Sequence, residues 1–388
     1  MDRRQFSTLV GGGVIGLTQL SPPAGAAAPV SRVRVTESEK KQWAREHLRG
    51  LGSLVMPSFS PDFTKLDEEG VRMDVRHRIR QGFCSTMVSA SGATAEQRRR
   101  MMEIVREETR GKMLHSVIVG GAPEAAIQSL KQAAEMGCTH ALVTFPDSAR
   151  PETEDQVYAH YRQVADASPI PILLYGAPVA SLRRFHPSGV PVNVFDRLAD
   201  HGSVVGMKLT HAMPVGLAFE LCERLSDRLL LGPVNLDLFP VLGRHYANIQ
   251  WTSQWISDAV QSPERPYAVE LLEHIRARRM DKAMTVYWQM QPLIQLVYDV
   301  QAAMLPAHPW QHMKYYQWVM GGNGGLLPLE GREKVPALDG ASRQQILETC
   351  RRVGIAADRP AEEFIVGRAA YARGVRASDL KVKPLYTT

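Results

Sequence analysis

The sequence predicts an α/β protein: a single (β/α)8 TIM barrel with a C-terminal helical appendage. Eight short apolar segments alternate with eight amphipathic segments between residues 51 and 280, which is typical of a parallel sheet whose strands are joined by helices. The apolar segments are continuous rather than alternating, as expected for strands covered on both faces. An open doubly wound sheet is the alternative, but no Gly-rich dinucleotide turn follows the first strand.

The individual elements follow from these patterns in chain order, after a polar helical segment at 37–49. The predicted strands are 51–59, 83–90, 114–120, 140–145, 170–177, 204–210, 229–234 and 249–253. The helices that follow them are 68–80, 94–109, 123–136, 152–167, 194–201, 214–226, 236–244 and 267–278. Thr94 followed by Gln97 indicates a capping box. Further helices are predicted at 281–304, 310–320 and 342–353.

The N-terminus has the composition of an export signal. Arg3 and Arg4 precede an uncharged apolar segment at 9–20 and small residues at 24–28. This order predicts a cleaved signal peptide, and the paired arginines predict recognition by the twin-arginine translocase. An anchor helix and a plain disordered leader are the alternatives, but the apolar segment is too short to span a bilayer. We therefore expect export of the folded protein, to the periplasm.

The predicted domain organisation combines these observations. It consists of an export signal peptide at 1–28, a lead-in helix at 29–50, the barrel at 51–280, C-terminal helices at 281–372 and a loose tail at 373–388.

Composition argues against several classes of function. The net charge is +6, only 7% of residues are aromatic, and the basic residues are scattered, so a nucleic-acid-binding role is not expected. The four cysteines are widely spaced without a CxxC pair, which argues against a zinc site or a disulfide framework, although single bridges stay open. His308 and His312 lack the acidic residue of an HExxH motif, so no metal site is predicted.

Two neighbouring strand ends carry side chains that suggest covalent chemistry. The fifth predicted strand ends with Tyr175, and the sixth contains Lys208 among apolar residues. Burial lowers the pKa of a lysine, and the neutral amine is the form that attacks a ketone. A nearby tyrosine can transfer protons during that attack. A lysine that extends its amine to the barrel rim is an equally good interpretation of the residues alone.

From about residue 51 to residue 327 the chain resembles the dihydrodipicolinate synthase and N-acetylneuraminate lyase family. That family has a tyrosine followed shortly by a proline at the end of strand five, matched here by Tyr175-Gly176-Ala177-Pro178. It has a V-G-x-K element on strand six, matched by Val205-Gly206-Met207-Lys208. His312-Met313-Lys314, ahead of Gly321-Gly322, is similar to its lysine-bearing C-terminal segment.

The resemblance implies a class I lyase or aldolase that acts on pyruvate or a related 2-oxo acid. Lys208 is then the Schiff-base lysine and Tyr175 the proton relay, and neither a metal ion nor an organic cofactor is required. It also implies a homo-oligomer, either a dimer or a tetramer. A non-catalytic barrel that binds a small acid, and a dehydratase or hydratase-aldolase that uses the same lysine, are the alternative functions.

The loop after the second strand departs from the family pattern. A Gly-Thr-Thr-Gly-Glu loop grips the substrate carboxylate in the family, whereas the shorter segment 89–94 stands here. Ser89 and Ser91 are the candidate hydrogen-bond donors in that segment. Thr210, at the end of the lysine strand, is the third candidate for substrate binding.

Two further departures concern assembly and the second substrate. The segment 145–149 lacks the tyrosine that family members exchange between subunits. The segment 179–181 lacks the arginine with which the synthases hold a second carboxylate, although Arg183 and Arg184 follow closely. These losses leave the Schiff-base residues in place but argue against lysine-pathway dihydrodipicolinate synthase activity.

Overall fold

The computed structural model describes residues 38–89, 92–210, 213–253, 256–304, 310–328, 338–355 and 357–381. Its eight strands are β1 (Gly50–Val55), β2 (Ser85–Val88), β3 (Leu114–Val119), β4 (His140–Val143), β5 (Ile172–Gly176), β6 (Val204–Leu209), β7 (Leu230–Pro233) and β8 (Trp251–Ser253).

All eight strands belong to one parallel sheet that curves into a barrel. The order is β7-β6-β5-β4-β3-β2-β1-β8, so consecutive strands are neighbours and β1 also pairs with β8. The two outer strands of this order approach each other, because the Leu231 N–H of β7 donates to the Asn248 carbonyl just before β8 at 3.1 Å. The predicted (β/α)8 barrel is therefore confirmed.

Helices connect the strands and surround the barrel. They are α1 (Glu39–His47), α2 (Glu68–Arg80), α3 (Ala95–Thr109), α4 (Pro123–Glu135), α5 (Glu154–Ala167), α6 (Val192–Leu198), α7 (Val215–Leu225), α8 (Leu238–His245), α9 (Ile256–Ala259) and α10 (Tyr267–Arg276). The capping box at the start of α3 forms as expected. Gln97 N donates to Thr94 Oγ1 at 3.2 Å, and Thr94 N donates to Gln97 Oε1 at 2.9 Å.

Aromatic side chains fill the lower part of the barrel. The ring of Trp251 on β8 meets the ring of His140 on β4 edge-on, with 6.3 Å between centroids. Gly232 on β7 makes room for this indole, since a Cβ at that position would lie 2.8 Å from the Trp251 ring. Below them, Trp43 of α1 approaches His140, also at 6.3 Å. The lead-in helix therefore closes the amino-terminal end of the barrel.

The C-terminal helices pack on the barrel and on one another. They are α11 (Met280–Met304), α12 (Trp310–Val319), α13 (Gly340–Arg352), α14 (Ala361–Val366) and α15 (Arg368–Ala372). No helix in the described part of the chain has the length and apolar character needed to cross a bilayer. All four cysteines are free thiols.

The start of the predicted loose tail is ordered. Arg373 pairs with Asp67 at 2.8 Å, and Ala377–Asp379 forms a 3₁₀ helix. Residues 382–388 lie outside the described residues, as do residues 1–37, which include the predicted signal peptide.

Candidate active site

Lys208 lies near the carboxyl end of β6, at the mouth of the barrel. In the strand register it pairs with Tyr175 on β5 and with Gly232 on β7. Because paired residues of parallel strands share a face of the sheet, and Gly232 faces the indole of Trp251, Lys208 points into the barrel. Residues in this position perform the chemistry in (β/α)8 enzymes.

The environment of the Lys208 amine favours its neutral form. The side chain is only 8% exposed, and desolvation lowers the pKa of Lys208 to about 8. Within the described ranges no carboxylate forms an ion pair with it, so no counter-charge offsets this effect. At neutral to mildly alkaline pH a substantial fraction of the amine is therefore unprotonated, as nucleophilic attack on a carbonyl requires.

Tyr175 lies directly beside this amine. Lys208 Nζ is 5.1 Å from the centroid of the Tyr175 ring, a distance at which the ring face attracts a cation. Burial raises the pKa of the Tyr175 phenol, so the phenol keeps its proton in the range where the amine titrates. The tyrosine can therefore donate a proton, or relay one, next to the lysine.

Two threonines lie at the same rim. The Thr210 hydroxyl is close enough to Tyr175 to oppose the rise in its pKa slightly, although within the described residues Thr210 Oγ1 is buried without a hydrogen-bond partner. Thr144 follows Val143, which pairs with Leu174, so the register brings Thr144 next to Tyr175. Gly120, directly after β3, leaves room for it, since a Cβ at that position would clash with Thr144 Oγ1. Sequence reasoning did not identify Thr144, because a threonine after a strand is not a distinctive pattern.

The remaining predicted binding residues are less closely tied to the lysine. Ser89 follows β2 on the same rim, and its N–H donates to the Val55 carbonyl at 2.9 Å, which extends the ladder between β1 and β2 by one bond. Ser91 lies outside the described residues. The structure thus brings together Lys208, Tyr175 and Thr210. Ser89 lies after the end of β2, and β2 is four strands away from β6 in the order around the barrel.

A second buried lysine lies at the C-terminal segment that the family resemblance singled out. Lys314 on α12 is fully buried, and its amine donates to the Pro57 carbonyl at 2.5 Å and to Ser58 Oγ at 3.3 Å. Desolvation lowers the pKa of Lys314 to about 8 as well. This amine is held by hydrogen bonds to the segment after β1, whereas the described residues make none to the Lys208 amine, so the geometry of Lys314 indicates a structural role.

Charged and polar groups near Lys314 join α2 and α12 to the short helix α9, which follows β8. Arg78 Nε lies 3.3 Å from Asp258 Oδ1, and both side chains are at most 1% exposed. Gln317 Nε2 donates to the other oxygen of Asp258 at 3.2 Å, and Asn323 N donates to Asp74 Oδ1 at 2.7 Å. Desolvation raises the pKa of Asp258, and Arg78 partly opposes that rise. This cluster fixes the C-terminal helices beside the barrel mouth.

Comparison with known proteins agrees with this geometry. Residues 47–230 match the model of the Dihydrodipicolinate synthetase family. Both Lys208 and Tyr175 lie in the matched segment, which supports the family resemblance found in the sequence. The 4-hydroxy-tetrahydrodipicolinate synthase of Pelobacter propionicus is 30% identical over 172 residues, which cover 42% of this chain and 56% of that protein. The chain thus spans about half the length of the curated relatives it matches.

Solved structures of a dihydrodipicolinate synthase and of an N-acetylneuraminate lyase have a similar fold. A monomeric dihydrodipicolinate synthase variant superimposes with a TM-score of 0.62 at 18% identity, covering 79% of this chain and 97% of that one. The N-acetylneuraminate lyase of Fusobacterium nucleatum gives a TM-score of 0.60 at 13% identity, covering 79% and 99%. At these identities the likeness establishes the barrel architecture alone.

Proposed function

We propose that this protein is a class I, Schiff-base-forming lyase or aldolase that acts on pyruvate or a related 2-oxo acid. The observation that carries the proposal is the buried Lys208 amine, to which the described residues supply no carboxylate partner, paired in register with Tyr175 at the barrel mouth. The match to the dihydrodipicolinate synthetase family over residues 47–230 supports it.

The proposed reaction uses the two side chains in sequence. The neutral Lys208 amine attacks the keto carbon of the 2-oxo acid, and the carbinolamine that results loses water to give a protonated imine. The imine withdraws electrons, so a proton leaves the adjacent carbon and an enamine forms. The enamine carbon then bonds to the carbonyl carbon of an acceptor aldehyde, and water releases the product and restores the amine. Tyr175 carries protons to and from the carbinolamine oxygen.

Borohydride trapping tests this proposal. The purified protein is incubated with pyruvate and with several longer 2-oxo acids, reduced, and weighed by intact-mass spectrometry. We expect a covalent adduct with at least one of them. An absence of any adduct would favour a non-catalytic barrel that binds small acids. Product analysis after turnover then separates an aldolase from a dehydratase or hydratase-aldolase, which would form the same adduct.

Replacing Tyr175 by phenylalanine is expected to slow the reaction without preventing imine formation. Loss of a positioned proton donor lowers kcat by roughly 10²–10⁴-fold, whereas the phenylalanine ring keeps the contact with Lys208. Steady-state kinetics measure the loss, and trapping with a long incubation should still give the adduct mass. An unchanged kcat in a folded Tyr175→Phe variant would remove Tyr175 from the mechanism.

We further propose that the acceptor is not aspartate semialdehyde, although the relatives that the chain matches are named 4-hydroxy-tetrahydrodipicolinate synthases. Arg184 donates to the Pro151 carbonyl at 3.4 Å and lies over the Phe185 ring, and Arg183 is exposed. An anionic acceptor therefore lacks the charge-assisted hydrogen bond expected after strand five, worth roughly 1.5–3 kcal/mol. A sugar-derived or apolar acceptor fits this absence better.

We expect little or no condensation of pyruvate with aspartate semialdehyde by the purified protein. The gene without residues 1–28 should also fail to rescue a lysine auxotroph. Efficient turnover or rescue would contradict the proposed acceptor preference. In that event, kinetics of Arg183→Ala and Arg184→Ala would identify which arginine replaces the missing one.

We propose a homo-oligomer whose interface includes the adjacent helices α7, α8 and α11. Each carries an exposed apolar residue: Val215 is 54% exposed, Val241 43% and Trp288 64%. Exposed apolar residues on helices that contact one another are candidates for a protein interface. Light scattering at micromolar concentration should show the mass of at least a dimer. The Trp288→Ser substitution should weaken this association, whereas Gln289→Ser, at the exposed neighbouring position, should leave it unchanged. A wild-type monomer, the state of one solved relative, would contradict this.

We propose that residues 1–28 direct export through the twin-arginine translocase, which places the protein in the periplasm. The order of Arg3-Arg4, the apolar segment and the small residues supports this. Cell fractionation of the full chain is expected to give a shortened, folded protein in the periplasm. An Arg3→Lys/Arg4→Lys variant is expected to stay in the cytoplasm. Periplasmic protein from that variant at the wild-type level would contradict the proposed route.

A further inference from the structure

A long groove runs along the outside of the barrel between α3 and α4. Its upper part has a volume of about 800 Å³ and a floor formed by β3. A lower part of about 760 Å³ continues past Arg106 towards the amino-terminal end of β3. Ile118 on the floor is 37% exposed, which is unusual for a barrel strand, because helices normally cover this sheet.

The two faces of α3 differ in how their charges are paired. On the side of α2, Glu107 and Glu108 receive hydrogen bonds from Arg72, and Glu108 also from Arg76. Arg100 bonds Glu68 of α2 and Glu103 of its own helix. Three of the four carboxylates of α3, those of Glu103, Glu107 and Glu108, are thus already engaged by Arg72, Arg76 and Arg100.

The groove face of α3 is left with uncompensated positive charge. Arg98, Arg99 and Arg106 line the upper groove, and Arg110 and Lys112 line the lower part. Among the described residues none of these five has a carboxylate partner within 4 Å. Among the described residues that line the groove, Glu135 on α4 is a carboxylate with no cationic partner within 4 Å. The five unpaired basic side chains therefore exceed this single unpaired carboxylate.

We propose that this groove binds an acidic polypeptide segment of a partner protein, with apolar side chains directed at the β3 floor. Cationic walls attract acidic residues, and an exposed apolar strip contributes by burial of side chains. A bilayer presents a flat surface, which is a poor match to a concave groove whose apolar floor lies between two helices. A second copy of this chain carries net positive charge and is therefore a poorer electrostatic match.

This surface is independent of the proposed catalytic function. The groove lies over β3, whereas Lys208 is on β6, and the two sites share no residue. Borohydride trapping with pyruvate should therefore be unaffected by changes in the groove, so the two proposals can fail separately.

Fluorescence anisotropy with a labelled peptide of alternating glutamate and leucine tests the proposal on the full chain. We expect saturable binding that weakens as salt is added. It should be at least about tenfold weaker in the Arg98→Glu/Arg99→Glu/Arg106→Glu variant. Ile118→Ser should weaken this peptide more than a peptide of glutamate and serine. A control variant, Arg183→Glu/Lys282→Glu/Arg352→Glu, has the same net charge and should bind like the wild type.

Three results would overturn the proposal. Equal loss of binding in both triple variants would indicate non-specific attraction to a basic protein. Tighter binding of a single-stranded oligonucleotide of equal charge would assign the groove to nucleic acid. A change of mass by light scattering in the groove variant, with the control variant unchanged, would assign the groove to an interface between copies. Thermal unfolding of each variant verifies that it is folded.

Discussion

Replacing Lys208 by methionine is expected to abolish turnover and to stabilise the fold. Loss of a covalent nucleophile lowers kcat by an expected factor on the order of 10⁴ or more. Methionine has a similar length but no amine, so the variant should bind a 2-oxo acid without forming an adduct. Steady-state kinetics with the acceptor found by product analysis measure the loss. Full activity in this variant would contradict the mechanism.

The expected gain in stability follows from the desolvation of the buried Lys208 amine. A shift of the Lys208 pKa from 10.5 to about 8, at ~1.4 kcal/mol for each pK unit, corresponds to a penalty of ~3 kcal/mol for burying the charged form. The penalty is complete below about pH 8 and disappears above pH 10.5, where the amine is neutral in both folded and unfolded chains. Denaturant unfolding should therefore show the Lys208→Met variant to be more stable at pH 7, with a gain that shrinks as pH rises. Lys282→Met, at an exposed position, should show no such gain.

Replacing Arg78 by methionine is expected to have the largest destabilising effect outside the active site. The change leaves the carboxylate of Asp258 buried without its ion pair, a situation that typically costs about 3–5 kcal/mol. Denaturant unfolding measures this cost. Arg76→Met, two residues earlier on α2, removes partly exposed pairs with Glu69 and Glu108 and should cost no more than about 1 kcal/mol. Equal costs for the two variants would contradict the importance of the buried pair.

The pH dependence of the Arg78→Met variant provides a second test. Burial raises the pKa of Asp258, and removal of the guanidinium raises it further. A carboxyl whose folded-state pKa is raised destabilises the protein as pH increases from its unfolded value near 3.8 through the folded value. The deficit of the variant relative to the wild type should therefore be small where Asp258 is protonated in both folded proteins, and should grow as the pH rises above about 7, where the wild-type carboxyl ionises. Adding Asp258→Leu should restore part of the stability, because no buried charge remains.

The barrel could be predicted from the sequence because its signals are local. Strand segments are apolar because both faces are covered, and the helix predicted at 68–80 begins and ends at the residues of α2. Predicted strands extend beyond the observed ones, as at 83–90 against Ser85–Val88. The apolar residues continue beyond the last hydrogen bonds between neighbouring strands. Composition alone therefore does not reveal where a strand ends.

Contacts between distant residues explain what the sequence did not reveal. Arg78 and Asp258 are 180 positions apart, and Lys314 contacts Pro57 across 257 positions, so no local pattern predicts either pair. The short helices α14 and α15 were also missed, because helices of 6 and 5 residues are too short to show a periodicity. Lys208 and Tyr175 were identified through motif and chain order, which predicted that they lie on neighbouring strand ends, and the strand register pairs them directly.

Mapping the trapped adduct by peptide mass spectrometry tests the central claim most directly. Lys208 and Lys314 are both buried, and burial lowers the pKa of each to about 8, so acidity alone does not distinguish them. After incubation with a reactive 2-oxo acid and borohydride, we expect the added mass on the peptide that contains Lys208, with the Lys314 peptide unmodified. An adduct on Lys314, or an adduct that persists in Lys208→Met, would contradict the assignment of Lys208 as the Schiff-base lysine.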